Sequence, residues 1–181
     1  AWPGRARAVE TLRVGFEEYP VNTVPLRLTV GLTGLGPTPR WRVVRDETLP
    51  EPGLVVAELS RNANDYRYCF ATVDGLAMRD GKLTTRFRTV DGKMDRAAGL
   101  VVRMRDAKNY VVVRANALED NVRLYRVADG QRVQVAGVDA KVPNGEWATL
   151  SIVARRPFYE IAMNDKKLFD YTDRQPSIVG R

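Results

Sequence analysis

Histidine is missing from all 181 residues, and cysteine occurs once, as Cys69. Without an imidazole, neither a Ser-His-Asp nor a Cys-His nucleophile system can be assembled. A structural zinc site takes four ligands, mostly Cys and His, so a single thiol excludes that as well. No intramolecular disulfide can form, and the cysteine count leaves the redox compartment open. Cys69 lies between Tyr68 and Phe70 in a strand-like run, where a small buried residue is favoured over a reactive thiol. Long apolar runs are lacking too. None approaches the roughly 18 residues needed to span a bilayer, so no membrane-spanning helix is expected. No stretch of ten residues carries a helical period, and Lys and Arg form no block. The formal charge of +7 permits an anionic partner. The arginines are scattered along strand-like runs with no helix to enter a groove, so nucleic acid is not expected as that partner.

What is present describes one all-β domain over residues 1–181. At 44% hydrophobic and 28% charged residues the chain has an ordinary globular composition and is long enough to bury a core. Residues 1–10 read as a loose arm. With no apolar targeting core at Ala1, an export signal has either been removed or was never there. Thr11–Phe16 predicts a first strand, and residues 20–40, rich in Pro and Gly, predict a long irregular connection. Short strands are predicted at Trp41–Val44, Leu54–Leu59, Cys69–Val73 and Lys82–Val90. Val73–Arg79 offers one short helical turn. Asp91-Gly92, Asp129-Gly130, Pro143-Asn144-Gly145 and Asn164-Asp165 carry turn chemistry. They set off strands at Arg132–Ala136, Trp147–Ala154, Phe158–Met163 and Leu168–Tyr171. Many short strands punctuated by turn dipeptides indicate an antiparallel sandwich or barrel.

The segment from Asp95 to Val127 is the most regular. Three runs of period-2 alternation are separated by residues 106–109 and 118–120, which predicts a three-strand antiparallel meander. One face carries Leu100, Val102, Met104, Val111, Val113, Ala115, Val122 and Leu124, a core wall. The other carries Arg103, Arg105, Tyr110, Val112, Arg114, Asn116, Asn121, Arg123 and Tyr125.

The strings DRAAGLVVR (residues 95–103), DAKNYVVVRANALEDNVRLYRV (106–127), the Asp129-Gly130 turn and GEWATLSIV (145–153) resemble the concanavalin A-like lectin/glucanase superfamily. Within it the chain is most similar to the 3-keto-disaccharide hydrolase domain family, with laminin-G-like modules more distant. The resemblance runs from about Phe16 onward. It implies a two-sheet antiparallel jelly roll whose concave face binds or cleaves carbohydrate, and a periplasmic or extracellular location. Relatives close with a strand reading roughly Gly-Arg-Val-Gly-Leu-Trp-Thr. This chain stops at Val179-Gly180-Arg181, so a truncated closing strand is expected.

On that basis an oligosaccharide or polysaccharide is the expected partner. The expected site comprises Arg103, Tyr110, Arg114, Asn116, Glu119, Asn121, Arg123 and Tyr125, gathered on a concave, solvent-reachable surface. Arginine forks and amides bind hydroxyls in fixed geometry, and tyrosine offers a platform for a sugar ring. The competing reading is an outer sheet face that shows Arg and Tyr to water, with cross-strand ion pairs. Glu119, Asp120 and Asn121 form a rim loop that is an ordinary polar turn, a sugar ligand or a calcium site; no other cofactor and no metal ligand is assigned. Glycosidase chemistry needs two carboxyl groups across the scissile bond. The Glu-x-Asp-x-Glu run that supplies them in jelly-roll glucanases is absent. Glu119 paired with Asp106 or Asp95 from another loop is the remaining route to a glycoside (3-keto-glycoside) hydrolase or lyase. A laminin-G-like protein-interaction module is the third reading. Trp41, Trp147, Phe158 and Tyr159 are expected in the core rather than as sugar platforms.

Overall fold

The structure, a computed structural model, describes residues 10–174. Residues 1–9 of the expected arm, and the expected truncated closing strand, lie outside the described residues. Twelve strands and no helix make up the described chain. They are β1 (Leu28–Gly34), β2 (Trp41–Asp46), β3 (Gly53–Glu58), β4 (Arg67–Val73), β5 (Gly81–Arg88) and β6 (Ala97–Asp106), then β7 (Asn109–Asn116), β8 (Asn121–Ala128), β9 (Gln131–Asp139), β10 (Trp147–Arg155), β11 (Phe158–Met163) and β12 (Lys166–Thr172).

Two four-stranded antiparallel sheets form a sandwich, one ordered β6-β7-β8-β9 and the other β12-β11-β10-β5. The expected all-β two-sheet architecture is therefore present. The inner faces follow directly from side-chain alternation. Val111, Val113 and Ala115 on β7 and Val122 and Leu124 on β8 are at most 5% exposed, and they meet Leu150, Ile152 and Ala154 of β10 and Ile161 of β11. Fully burying one such side chain contributes about 1.5–3 kcal/mol, which makes this shared layer the main source of cohesion between the sheets.

Local chemistry sets several connections. Asp129-Gly130 joins β8 to β9 and Asn164-Asp165 joins β11 to β12, each as a two-residue loop with φ positive at both positions. That is the mirror-image turn whose twist suits a hairpin, and Asn, Asp and Gly tolerate it best. The meander runs β6-β7-β8 with Leu100 opposite Val113 and Val113 opposite Leu124, as alternation predicts.

Other expectations fail for long-range reasons. Thr11–Phe16 forms no strand: among the described residues it pairs with no other strand, and Leu12 and Val14 are 52% and 37% exposed. Conversely β1 lies inside the expected irregular connection. It pairs with β4, some forty residues onward, and Gly31 sits opposite Phe70, whose ring fills the space a Cβ would need. Asp91-Gly92 is no hairpin; the chain there passes from β5 in one sheet to β6 in the other. Residues 74–75 form a turn, not the start of a helix.

Two ribbons flank the sandwich. The β2-β3 ribbon meets the β5-β10 edge, where buried Asp46 receives Arg88 at 2.7 Å and the Trp147 indole N–H donates to Thr48 at 3.0 Å. The β1-β4 ribbon lies over the outer face of the β6-β9 sheet. Tyr66 donates to the Gly130 carbonyl, and Phe70 meets the Tyr110 ring 6.2 Å between centroids. Of the aromatics expected in the core, Tyr159 is buried, whereas Trp41, Trp147 and Phe158 are half-buried. Cys69 is half-buried on β4, and burial pushes its thiol up. No helix among the described residues is long and apolar enough to cross a membrane, which says nothing about a β-barrel.

Candidate functional site

The outer face of the β6-β9 sheet divides into a roofed end and an open end. At the roofed end, Tyr110 and its cross-strand partner Val127 are 2% and 0% exposed beneath the β1-β4 ribbon. Thr33 donates to the Ala107 carbonyl, which leaves the Tyr110 hydroxyl to donate to Thr33 Oγ1 at 2.9 Å. Burial raises the Tyr110 phenol against the opposing pull of Thr33. Tyr110 thus shares the expected face but is a structural anchor there, closed to solvent.

Arg103 leaves the face altogether. The β6-β7 register shifts between Val102 and Asp106, and Arg103 takes a positive φ of 56°. Such a bulge re-aims the side chain. Arg103 is 3% exposed, its guanidinium bonded to the Arg79 carbonyl and to Asp80 at 2.9 Å, where it draws the Asp80 carboxyl down. It serves the junction between the sheets, and strict alternation misplaced it.

The open end is organised around Arg114. Register places Arg114 opposite Arg123, and Asn116 opposite Asn121. Arg114 Nη1 reaches Asp95 at 3.3 Å, and Nη2 reaches Glu119 at 2.5 Å and Asn121 Oδ1 at 3.4 Å. Its side chain is 13% exposed, while those of Asp95 and Glu119 are about half exposed. Asn121 Nδ2 donates to the same Glu119 oxygen at 2.9 Å. Three loops and strands therefore hold one guanidinium in a fixed orientation, with Asn121 buried beneath it and the two carboxylates half exposed.

The two carboxyls are pushed apart in acidity. Desolvation raises Asp95, and nearby Glu119 adds to the rise against Arg114. The Asn121 hydrogen bond, then the Arg114 charge, hold Glu119 below the usual carboxylate range against a smaller desolvation effect. Asn116 itself is 1% exposed: its Oδ1 accepts the Leu118 amide at 2.9 Å and its buried Nδ2 has no hydrogen-bond partner among the described residues. It builds the turn that delivers Glu119 and is not displayed to a ligand.

Tyr125 lies on the expected face but is 8% exposed, because Arg114 and Arg132 cover it at 5.5 and 4.5 Å from the ring centroid. Both arginines stand two residues along from Tyr125's direct neighbours, Val112 on β7 and Gln134 on β9, a diagonal spacing that long side chains bridge. The ring is a floor for guanidinium groups, and no free platform remains for a sugar. Arg123 pairs with Asp139 at 2.5 Å and crosses Gly137, where a Cβ would stand 2.5 Å from Arg123 Cδ.

The rim loop splits in two. Asp120 turns away to Lys141 at 2.9 Å and to the Val142 amide, so Glu119 and Asp120 do not converge. Among the described residues no group of three or more His, Cys, Asp or Glu side chains is placed to hold a metal ion. Of the loop acids weighed with Glu119, Asp95 converges on the shared arginine, whereas Asp106 bonds Asn109 and Lys108 at the far end of β7.

Two residues that sequence reasoning passed over complete the site. Arg132 sits one hairpin away from Val127, on the same face, and the Asp129-Gly130 turn made that placement readable. Tyr68 comes from β4 and covers Arg132 at 4.0 Å; no local signal announces it, since the ribbon pairing is remote in sequence.

No family model matches the chain, and no curated protein matches it. Among solved structures it is similar to the carbohydrate binding module CBM66 from Bacillus subtilis. The TM-score is 0.54 at 17% identity, over 74% of this chain and 79% of that one. At that identity the likeness is one of fold, a β-sandwich.

Proposed function

We propose that this protein binds a glycan on the open end of the β6-β9 outer face, taken here as the concave side, and that it works outside the cytoplasm. The single observation that carries this reading is the Arg114 centre, a nearly buried guanidinium oriented by buried Asn121 and by the half-exposed carboxylates of Asp95 and Glu119. Sugar hydroxyls both donate and accept, so alternating carboxylate, amide and guanidinium groups in fixed positions match them. Orientation before binding spares the entropy of ordering long side chains. The fold likeness to a carbohydrate binding module supports the same reading. Arg114, Glu119 and Arg123 make the contacts, Asn116, Asn121 and Tyr125 support them from beneath, and Arg103 and Tyr110 fall outside the site.

A glycan array followed by calorimetry on the best hit tests this. Losing one charge-assisted hydrogen bond is worth about 1.5–3 kcal/mol. Arg114→Ala should therefore weaken binding roughly ten- to a hundredfold, and Arg114→Lys should recover part of it. A folded Arg114→Ala protein that binds as tightly as the parent removes Arg114 from the site.

One observation favours a second reading, a glycoside (3-keto-glycoside) hydrolase or lyase. Asp95 and Glu119 converge on one arginine with their acidities displaced in opposite directions, the pattern that separates a general acid from its partner carboxylate. In this reading Asp95 donates the proton and Glu119 stays ionised. Release of reducing sugar, abolished in Asp95→Asn with binding retained, selects it over binding alone.

A further inference from the structure

The cations of the open face are not equally satisfied. Arg114 has two carboxylates and Arg123 has Asp139. Arg132, rooted opposite Val127 in the roofed row of β9 and reaching along the face to Tyr125, has none: among the described residues no carboxylate lies within ion-pair distance of it and no hydrogen bond ties its guanidinium. Two tyrosines hold it instead, Tyr68 at 4.0 Å and Tyr125 at 4.5 Å from the ring centroids. Aromatic rings attract a guanidinium without engaging its N–H groups in ordinary hydrogen bonds. Among the described residues, nothing takes up the five donors of this half-buried cation, which leaves them for a ligand.

The acids nearby do not answer it. Asp95 feels Arg132 only as a weak, distant charge, and the Glu119 oxygen that bonds Arg114 also accepts from Asn121. Gln134, across from Tyr125, is neutral. The face therefore presents an acidic pole around Arg114 and an unanswered basic pole at Arg132. A neutral sugar would use the first pole and leave the second hydrated. A sugar carrying an anionic group uses both, with hydroxyls donating to Asp95 and Glu119 and the anion taking the arginine fork. Carboxylate and sulfate both match that fork.

We infer that the ligand is an acidic glycan, whose anionic substituent is held by Arg132 between Tyr68 and Tyr125. This deepens the glycan-binding reading and rests on it. The test is a panel of glucuronic, galacturonic and mannuronic acid oligomers, each as free acid and as methyl ester, with one sulfated and one neutral set. Binding is measured by calorimetry to the parent, Arg132→Gln, Arg132→Lys and Arg155→Gln. Arg155 is exposed outside this face, so its loss removes the same charge elsewhere.

An acid or sulfated form should bind at least tenfold more tightly than its uncharged counterpart. Arg132→Gln should abolish that preference, bringing the acid-to-ester affinity ratio to about one, and Arg132→Lys should retain part of it, weakened further by salt. Which charged set binds identifies carboxylate or sulfate. A parent that binds neutral or esterified sugars as well as acidic ones overturns the inference and leaves glycan binding standing. An equal loss in Arg155→Gln overturns it too, since the attraction is then general charge. Failure to bind any glycan overturns the underlying reading itself. Because Arg132 also staples the ribbon to the sheet, the acid-to-ester ratio within each folded variant is the deciding quantity, and a structural role alone does not move it.

Discussion

Leu124→Ala probes the inter-sheet layer directly. Leu124 is 0% exposed, bracketed by Val113 on β7 and Ala136 on β9, and packs in the cluster that holds Leu150 and Ile152 of the opposing sheet. Truncation removes about three carbon atoms, a transfer loss of roughly 2.4 kcal/mol at ~0.8 kcal/mol each. A cavity cost adds to this wherever the surroundings fail to collapse. Leu124 has a hydrogen-bonded strand on both sides, so inward collapse is restricted and the upper part of the usual range applies, about 3–5 kcal/mol. For a chain of this size that corresponds to a fall in Tm of roughly 6–20 °C. Urea melts should show a lower midpoint at unchanged slope. Val133→Ala on β9, 60% exposed, is the matched control and should stay within about 0.5 kcal/mol. A Leu124→Ala loss no larger than that of Val133→Ala refutes the sandwich layer described above.

Two further outcomes are expected. Tyr110→Phe removes one buried hydrogen bond while Thr33 keeps its bond to Ala107, so urea midpoints should report about 0.5–1.5 kcal/mol; no measurable change argues against the roofed anchor. Burial alone would raise Asp46, but the Thr48 and Arg88 hydrogen bonds outweigh it and hold its carboxyl below the ordinary value. A depressed folded pKa means its stabilisation is present above the unfolded value near 3.9 and is lost as pH falls through the lower folded value. Asp46→Asn should therefore lose more stability at pH 7 than at pH 3, and equal losses at both pH values contradict this.

How much of this was readable before folding depended on how local the cause was. Alternation over Leu100–Leu124 determined the core wall except at Met104, which the β6 bulge carries out of the core, because a strand's side-chain period leaves no choice once one face is buried. The Asp129-Gly130 and Asn164-Asp165 dipeptides determined two hairpins, since few other residues accept two consecutive positive φ values. The same parity rightly put Arg114, Asn116, Asn121, Arg123 and Tyr125 on one outer face. It said nothing of what would lie above them. Only the pairing of β1 with β4 roofed Tyr110, brought Tyr68 onto Arg132, and drew a strand out of a Gly- and Pro-rich stretch whose local preference opposes one. Arg103 escaped its face because a two-residue register slip overrides alternation, and no turn signal in Arg103-Met104-Arg105 announces it. The meeting of Asp95 and Glu119 at Arg114 likewise depends on two loops converging in space. Period and turn chemistry act between neighbours and are written in the sequence, whereas roofing, bulging and convergence arise between distant segments, and tertiary packing alone decides them.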